Sequence, residues 1–278
     1  MKQVSLNTGV AMPAIGFGTW EIVPNGRAKT MVLDALDAGY RLIDTAKIYG
    51  NEKGVGDAVH ETSVRREDIF VTTKLWRGDQ GYDSAHKAFN TSLRLLGLDY
   101  IDLYLIHWPG GRGDRHESWR AMAELYESGR SKAIGVSNFT VRHLQELKDK
   151  SNIIPAVNQT EFHPYLYAQQ RELLDYCREQ GITVQAYSPL VHGITGKGTF
   201  KDEAVLVRVG ETYNKSPAQI ILRWCVQHGT VPLPKTTSPE HMHENIDIFD
   251  FELSASEMEL INHLSDDTRA CWDPNNVA

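Results

Sequence analysis

Cysteine is scarce, positive charge is not in excess, and long apolar runs are missing. The 278 residues include three cysteines, Cys177, Cys225 and Cys271, too far apart for a CxxC redox pair or a zinc knuckle of sequence neighbours. Free thiols are expected. His241-Met242-His243 does not read as a metal site, and no metal is expected. Lysine and arginine number 29 against 36 aspartates and glutamates, a net charge of −7. That balance opposes the basic footprint of phosphate-backbone binding, so no nucleic-acid partner is expected and any phosphate recognition must be local. No stretch approaches the ~20 apolar residues of a membrane span, and the first residues lack the apolar core of a signal peptide. A cytoplasmic protein with no membrane partner is predicted.

Two nucleotide-binding fingerprints are also missing. Gly16-Phe17-Gly18-Thr19-Trp20-Glu21 has glutamate where a GxGxxG turn needs its third glycine. The 193–198 run, Gly193-Ile194-Thr195-Gly196-Lys197-Gly198, has Val191 in place of the first P-loop glycine and Gly198 in place of its Ser/Thr. No linker or low-complexity run divides the chain, which predicts one domain over 1–278.

What the sequence does contain is repetition of one unit. Short β-rich apolar runs recur at 15–20, 41–46, 69–76, 101–108, 132–138, 154–162, 182–190 and 230–235, spaced for a strand plus a crossover helix. Between them lie helical patterns. Ala28, Val32, Ala35 and Leu36 form one apolar stripe; Ala85, Ala88, Phe89, Ser92, Leu93 and Leu96 form another. Gly39, Gly97, Gly129 and Gly181 each follow such a segment, where a left-handed residue ends a helix. Eight alternating units in a chain of this length predict an α/β fold, a closed (β/α)8 TIM barrel. Residues 4–12 read as a small hairpin plugging its bottom. The long gap before the last strand predicts helices at 203–213 and 217–228, the second capped by Ser216-Pro217, giving one or two helices beyond the barrel's own.

In such a barrel the functional end is where the strands finish. The polar residues there are Asp44, Lys74, His107, Ser137-Asn138, Gln159, Tyr187-Ser188 and Lys235-Thr236-Thr237, with Tyr49 five residues past Asp44. Each alone has an ordinary structural explanation, as a cap, a solvated strand end or a packed side chain; Asp44, Tyr49, Lys74 and His107 together read as a proton-transfer group. A tyrosine ordinarily titrates near ~10. An adjacent lysine ammonium is expected to lower that value, an aspartate to keep the lysine charged, and a neutral His107 to orient the reacting oxygen. The arrangement suits carbonyl reduction.

The chain resembles the aldo-keto reductase family over essentially its whole length. The resemblance rests on Gly16-Phe17-Gly18-Thr19-Trp20, the run from Gly39 through Asp44 and Tyr49 to Glu52, Leu103-Tyr104-Leu105-Ile106-His107-Trp108-Pro109, Gly135-Val136-Ser137-Asn138-Phe139, Val157-Asn158-Gln159 and Pro234-Lys235-Thr236-Thr237. Its short loops are most similar to the bacterial diketogluconate-reductase-like and prostaglandin-F-synthase-like branches. The resemblance implies a catalytic tetrad of Asp44, Tyr49, Lys74 and His107, with Tyr49 as general acid. It implies a nicotinamide cofactor held by Thr19, Ser137, Asn138 and Gln159, with Tyr187 stacked on the ring. Ser188 and Leu190 would contact the pyrophosphate, Lys235, Thr236 and Thr237 the 2′-phosphate, and Glu244 and Asn245 the adenine. His241 stands where the family commonly has arginine against that phosphate. The expectation is therefore NADPH preferred through Lys235, with NADH also used. Trp20, Ile48, Trp76, Trp108 and Trp272, with Tyr49 and His107, would line a substrate pocket for small or medium carbonyls, keto-sugars and aromatic aldehydes among them. A monomer is expected. A nucleotide-sensing regulatory module with weak or no turnover is the rival reading, and the intact tetrad argues against it. A barrel hydrolase or isomerase would want paired carboxylates at the strand ends, where only Asp44 is found.

Overall fold

The computed structural model describes residues 2–111, 114–191 and 200–277; the 193–198 run lies outside them. An antiparallel hairpin of β1 (Gln3–Ser5) and β2 (Ala11–Pro13) comes first. Eight parallel strands follow: β3 (Phe17–Gly18), β4 (Leu42–Asp44), β5 (Phe70–Leu75), β6 (Ile101–Ile106), β7 (Ser131–Ser137), β8 (Val157–Glu161), β9 (Thr183–Tyr187) and β10 (Val231–Leu233). Each pairs with its neighbour in sequence order. The ring closes where Gly16 N–H donates to Pro232 O and Gly18 N–H to Pro234 O, both at 3.0 Å. Close approach explains the glycine at 16. A Cβ there would lie 2.6 Å from side-chain carbons of Leu42 and Leu233.

The helices are α1 (Asn25–Asp37), α2 (Glu52–Glu61), α3 (Tyr82–Leu96), α4 (Arg115–Glu127), α5 (Val141–Lys150), α6 (Tyr167–Glu179), α7 (Ala204–Tyr213), α8 (Pro217–Gln227), α9 (Pro239–Ile246) and α10 (Ala255–Asn262). The predicted stripe residues of α1 are all buried, and in α3 only Leu93 stays partly exposed. Gly39, Gly97, Gly129 and Gly181 all have positive φ. Ser216 caps α8 in a reciprocal capping box with Gln219. Among the described residues the gap between β9 and β10 thus holds two α-helices where a barrel needs one, and α10 adds another after the last unit. β3 is shorter than the predicted run because Thr19 opens a turn, with Ile22 N–H bonded to Thr19 O and Glu21 at φ +62°.

Two apolar clusters divide the core. The outer one joins the strands to the helices. The inner one, including Leu42, Phe70, Leu103, Leu105, Val157, Val231 and Leu233, fills the barrel and rests on Leu6 and Met12 of the hairpin segment. On β6, Leu103 and Leu105 belong to the inner cluster while Tyr104 and Ile106 belong to the outer, the two-residue alternation of a strand buried on both faces. Counting by twos from an inner residue therefore locates every side chain that faces the axis. Asp44 follows Leu42, His107 follows Leu105, Gln159 follows Val157, and Lys74 lies four past Phe70.

Candidate active site

The polar strand ends converge at the carboxyl end of the barrel. Lys74, fully buried, donates from Nζ to Asp44 Oδ1 at 2.5 Å, to Thr45 O at 2.9 Å and to the Tyr49 hydroxyl at 3.3 Å. Tyr49 rides on a short turn pinned on both sides: Thr45 Oγ1 donates to Asn51 Oδ1 at 2.7 Å, and Asn51 Nδ2 donates to Thr19 O at 2.8 Å. The Tyr49 ring lies edge-on to Trp20, with centroids 4.8 Å apart, and to His107, 5.8 Å apart. His107 Nδ1 is buried without a hydrogen-bond partner among the described residues.

Burial governs the protonation states. It drives the Lys74 pKa down, and Asp44 opposes that by charge and hydrogen bond. It drives the His107 pKa well below the ordinary histidine value, helped by the Lys74 charge, so the imidazole is neutral near pH 7. The Tyr49 pKa rises well above 10, first through burial and then through the Asp44 charge and Cys271. This corrects the expectation from sequence that Lys74 brings the phenol's pKa down. One ammonium at 3.3 Å does not outweigh desolvation plus a nearby carboxylate, and Tyr49 stays a phenol at neutral pH.

Above this group opens a cavity of 910 Å³, at the upper end for small-molecule sites. Its lining includes Trp20, Ile48, Tyr49, Trp76, His107, Trp108 and Trp272, and also Ser137, Asn138, Gln159, Tyr187, Ser188, Leu190, Lys235, Thr236, His241, Glu244 and Asn245. Two of the expected residues lie elsewhere. Thr19 is fully buried behind the wall, donating from Oγ1 to Asp44 O at 2.9 Å, and exposed Thr237 lies outside the lining. Asn138 Nδ2 donates to His107 O at 2.9 Å, and Asn138 Oδ1 accepts from the Tyr187 hydroxyl at 2.7 Å. Asn138 and Ser188 adopt left-handed φ values of +64° and +48°, local strain of the kind that gathers at binding sites.

Some lining residues had no signal in the sequence. Phe200, Lys201 and Ser216-Pro217-Ala218 reach the cavity from the long insertion, and Cys271 from the C-terminal segment. Glu161, which ends β8 and so corrects the reading of Asp44 as the one strand-end carboxylate, is buried and docks that segment by accepting the Ala270 N–H at 2.5 Å and the Cys271 N–H at 3.3 Å, with Arg269 Nη1 3.5 Å away. Burial pushes its carboxyl pKa up, but hydrogen bonds from His163 and Ala270 prevail and hold it below the ordinary range. The docked segment carries Trp272 to Trp108, ring centroids 5.9 Å apart. Among the described residues no group of three His, Cys, Asp or Glu side chains could hold a metal, and no helix is long and apolar enough to cross a membrane.

The aldo/keto reductase family model matches residues 14–266. The chain belongs to the aldo/keto reductase family. It is 48% identical over 274 residues to the glyoxal reductase of Bacillus subtilis (strain 168), covering 99% of this chain and 96% of that protein. The crystal structure of an aldo/keto reductase from Brucella melitensis superposes with a TM-score of 0.89 at 45% identity, over 95% of this chain and 98% of that one. The aldo-keto reductase of Bombyx mori in complex with NADP gives a TM-score of 0.92 at 34% identity, over 99% and 97%. Family membership supports carbonyl reduction with a nicotinamide cofactor as the class of chemistry.

Proposed function

We propose that this protein reduces aldehydes and ketones to alcohols with NADPH, accepting NADH as well. The reading rests above all on the Lys74 ammonium, bonded at once to Asp44 and to the Tyr49 hydroxyl at the floor of the cavity. The cavity residues fit a nicotinamide dinucleotide. Ser137, Asn138 and Gln159 offer amide and hydroxyl groups at the inner end beside the Tyr187 ring, and Lys235, Thr236 and the first turn of α9 offer an anion cradle at the other. Tyr187 and the carboxamide-binding trio would hold the ring against Tyr49 and His107. The cofactor, when bound, supplies the electron pair and hydrogen that reach the carbonyl carbon.

The remaining work falls to the chain's own side chains. Tyr49, kept protonated by its surroundings, gives its proton to the carbonyl oxygen as negative charge develops there. Lys74 stabilises the phenolate left behind, and Asp44 keeps Lys74 charged inside the barrel. Neutral His107 presents a ring nitrogen that holds the same oxygen. Trp20, Trp76, Trp108 and Trp272 form an aromatic wall suited to small and medium carbonyls, aromatic aldehydes and keto-sugars among them. The name of the Bacillus relative, a glyoxal reductase, supports a small-carbonyl substrate. Alcohol oxidation needs the phenolate, so its rate is expected to climb with pH throughout the alkaline range.

The test is consumption of NADPH and NADH against a panel of carbonyls. Tyr49→Phe is expected to lose about 10²–10⁴-fold in kcat, the span of a general acid, with NADPH affinity unchanged. A wild-type protein inert toward every carbonyl, or a Tyr49→Phe variant at full rate, overturns the proposal.

A further inference from the structure

Gln185 is fully buried in the barrel axis, yet no step above uses it. It sits on β9 directly beside Gln159 of β8 in the parallel register, and both face inward. Gln159 Nε2 donates twice, to Asp44 Oδ2 at 2.7 Å and to Gln185 Oε1 at 2.9 Å. Gln185 Nε2 in turn donates to the sulfur of Met12, on the plugging hairpin, at 3.2 Å. The direction of this chain is fixed by its ends. An ionised carboxylate only accepts, so Gln159 must turn its NH2 toward Asp44. The second N–H of that group then needs an acceptor, and Gln185 Oε1 supplies it. Flipping either amide would set two oxygens or two N–H groups against each other.

The geometry points to Gln185 as a positioning residue for the proposed reduction: it locks the Gln159 amide so that Nε2 holds Asp44 and Oε1 remains for the cofactor's carboxamide. The inference rests on the reductase reading. A buried glutamine paired with Val231 and bonded to Met12, both members of the inner apolar cluster, is otherwise a poor choice for a barrel interior, where leucine would serve packing better.

One substitution separates positioning from packing: Gln185→Leu keeps the size and removes the acceptor. Positioning predicts that Gln185→Leu loses about tenfold in kcat, the effect of one misplaced hydrogen bond, and binds NADPH several-fold more weakly, while the one Gln159 N–H left unpaired lowers its melting temperature by only a few degrees. A Gln185→Leu variant with wild-type kcat and NADPH affinity overturns the inference. The Gln159 side-chain amide in glutamine-labelled protein gives a readout free of turnover. Its N–H resonances are expected to be protected from exchange in wild type and to lose that protection in Gln185→Leu. Unchanged protection overturns the inference even if the wild-type protein reduces no carbonyl, an outcome that would count against the reductase reading alone.

Discussion

The lower and upper halves of the barrel interior are equally dry and chemically opposite. Two residues along the same inward face convert Leu42 to Asp44, Leu105 to His107 and Val157 to Gln159, with exposures of 0, 0 and 0% below and 4, 8 and 2% above. Burial alone therefore does not mark the site. Below, each side chain gains from leaving water. Above, polar groups are held by specific partners, Asp44 by Lys74 and Gln159 and Asn138 Oδ1 by the Tyr187 hydroxyl, while His107 Nδ1 has no partner among the described residues. The lower half holds the barrel, and the upper half makes its groups depend on one another.

The sharpest break in that comparison is Lys74→Met. It removes the proposed stabiliser of the phenolate and leaves Asp44 without its ion-pair partner. Turnover is expected to fall by about 10²–10⁴-fold, in the range of a lost proton-transfer group, and stability by about 3–5 kcal/mol, the cost of breaking a buried pair from one side. Denaturant titration and NADPH consumption measure the two separately. In Asp44→Asn/Lys74→Met the stability should return while the activity does not. Recovery of activity in that double variant would remove the ion pair from the mechanism.

A smaller and opposite effect belongs to the lower half. Leu103 is fully buried in the inner cluster, and Leu103→Ala is expected to cost about 2–5 kcal/mol through the cavity it leaves. The kcat and KM of the folded fraction should be unchanged. If this variant loses turnover per folded molecule as Lys74→Met does, the two halves are not independent.

Much of this was legible because strand alternation is rigid. The eight strands, the helix-ending glycines and the capped start of α8 all follow from local patterns, and the inward parity of Asp44, Lys74, His107 and Gln159 follows from counting by twos. The same count, run back from Tyr187 and on from Gln159, also marks Gln185 and Glu161, but both carry side chains that sequence position alone leaves as ordinary polar residues. What could not be read was how distant segments meet. Glu161 docks the Ala270–Cys271 backbone more than a hundred positions away, and the reach of Phe200 and Lys201 into the cavity depends on the path of an insertion. Thr19 lies outside the cavity lining for a related reason: its hydroxyl serves the Asp44 carbonyl, a contact that exists only once β3 and β4 lie side by side. The direction of the Tyr49 shift depends on depth of burial, which no motif encodes.

The finest distinction within the upper half is between its buried inner end and its exposed outer end, where His241 lines the cavity near Lys235 and Thr236. Both Lys235 and His241 are solvent-exposed, so charge there is screened and each contact is weak. An imidazole presents a single donor to a phosphate, whereas a guanidinium presents a two-pronged fork that is always charged. His241→Arg is therefore expected to tighten NADPH by about threefold to tenfold, close to 1 kcal/mol at such a site, and to leave NADH nearly unchanged. Raising the salt concentration should erode the gain. Titration of both cofactors by fluorescence decides it: equal tightening of NADPH and NADH would detach His241 from the 2′-phosphate and leave Lys235 and Thr236 as the groups that tell the two cofactors apart.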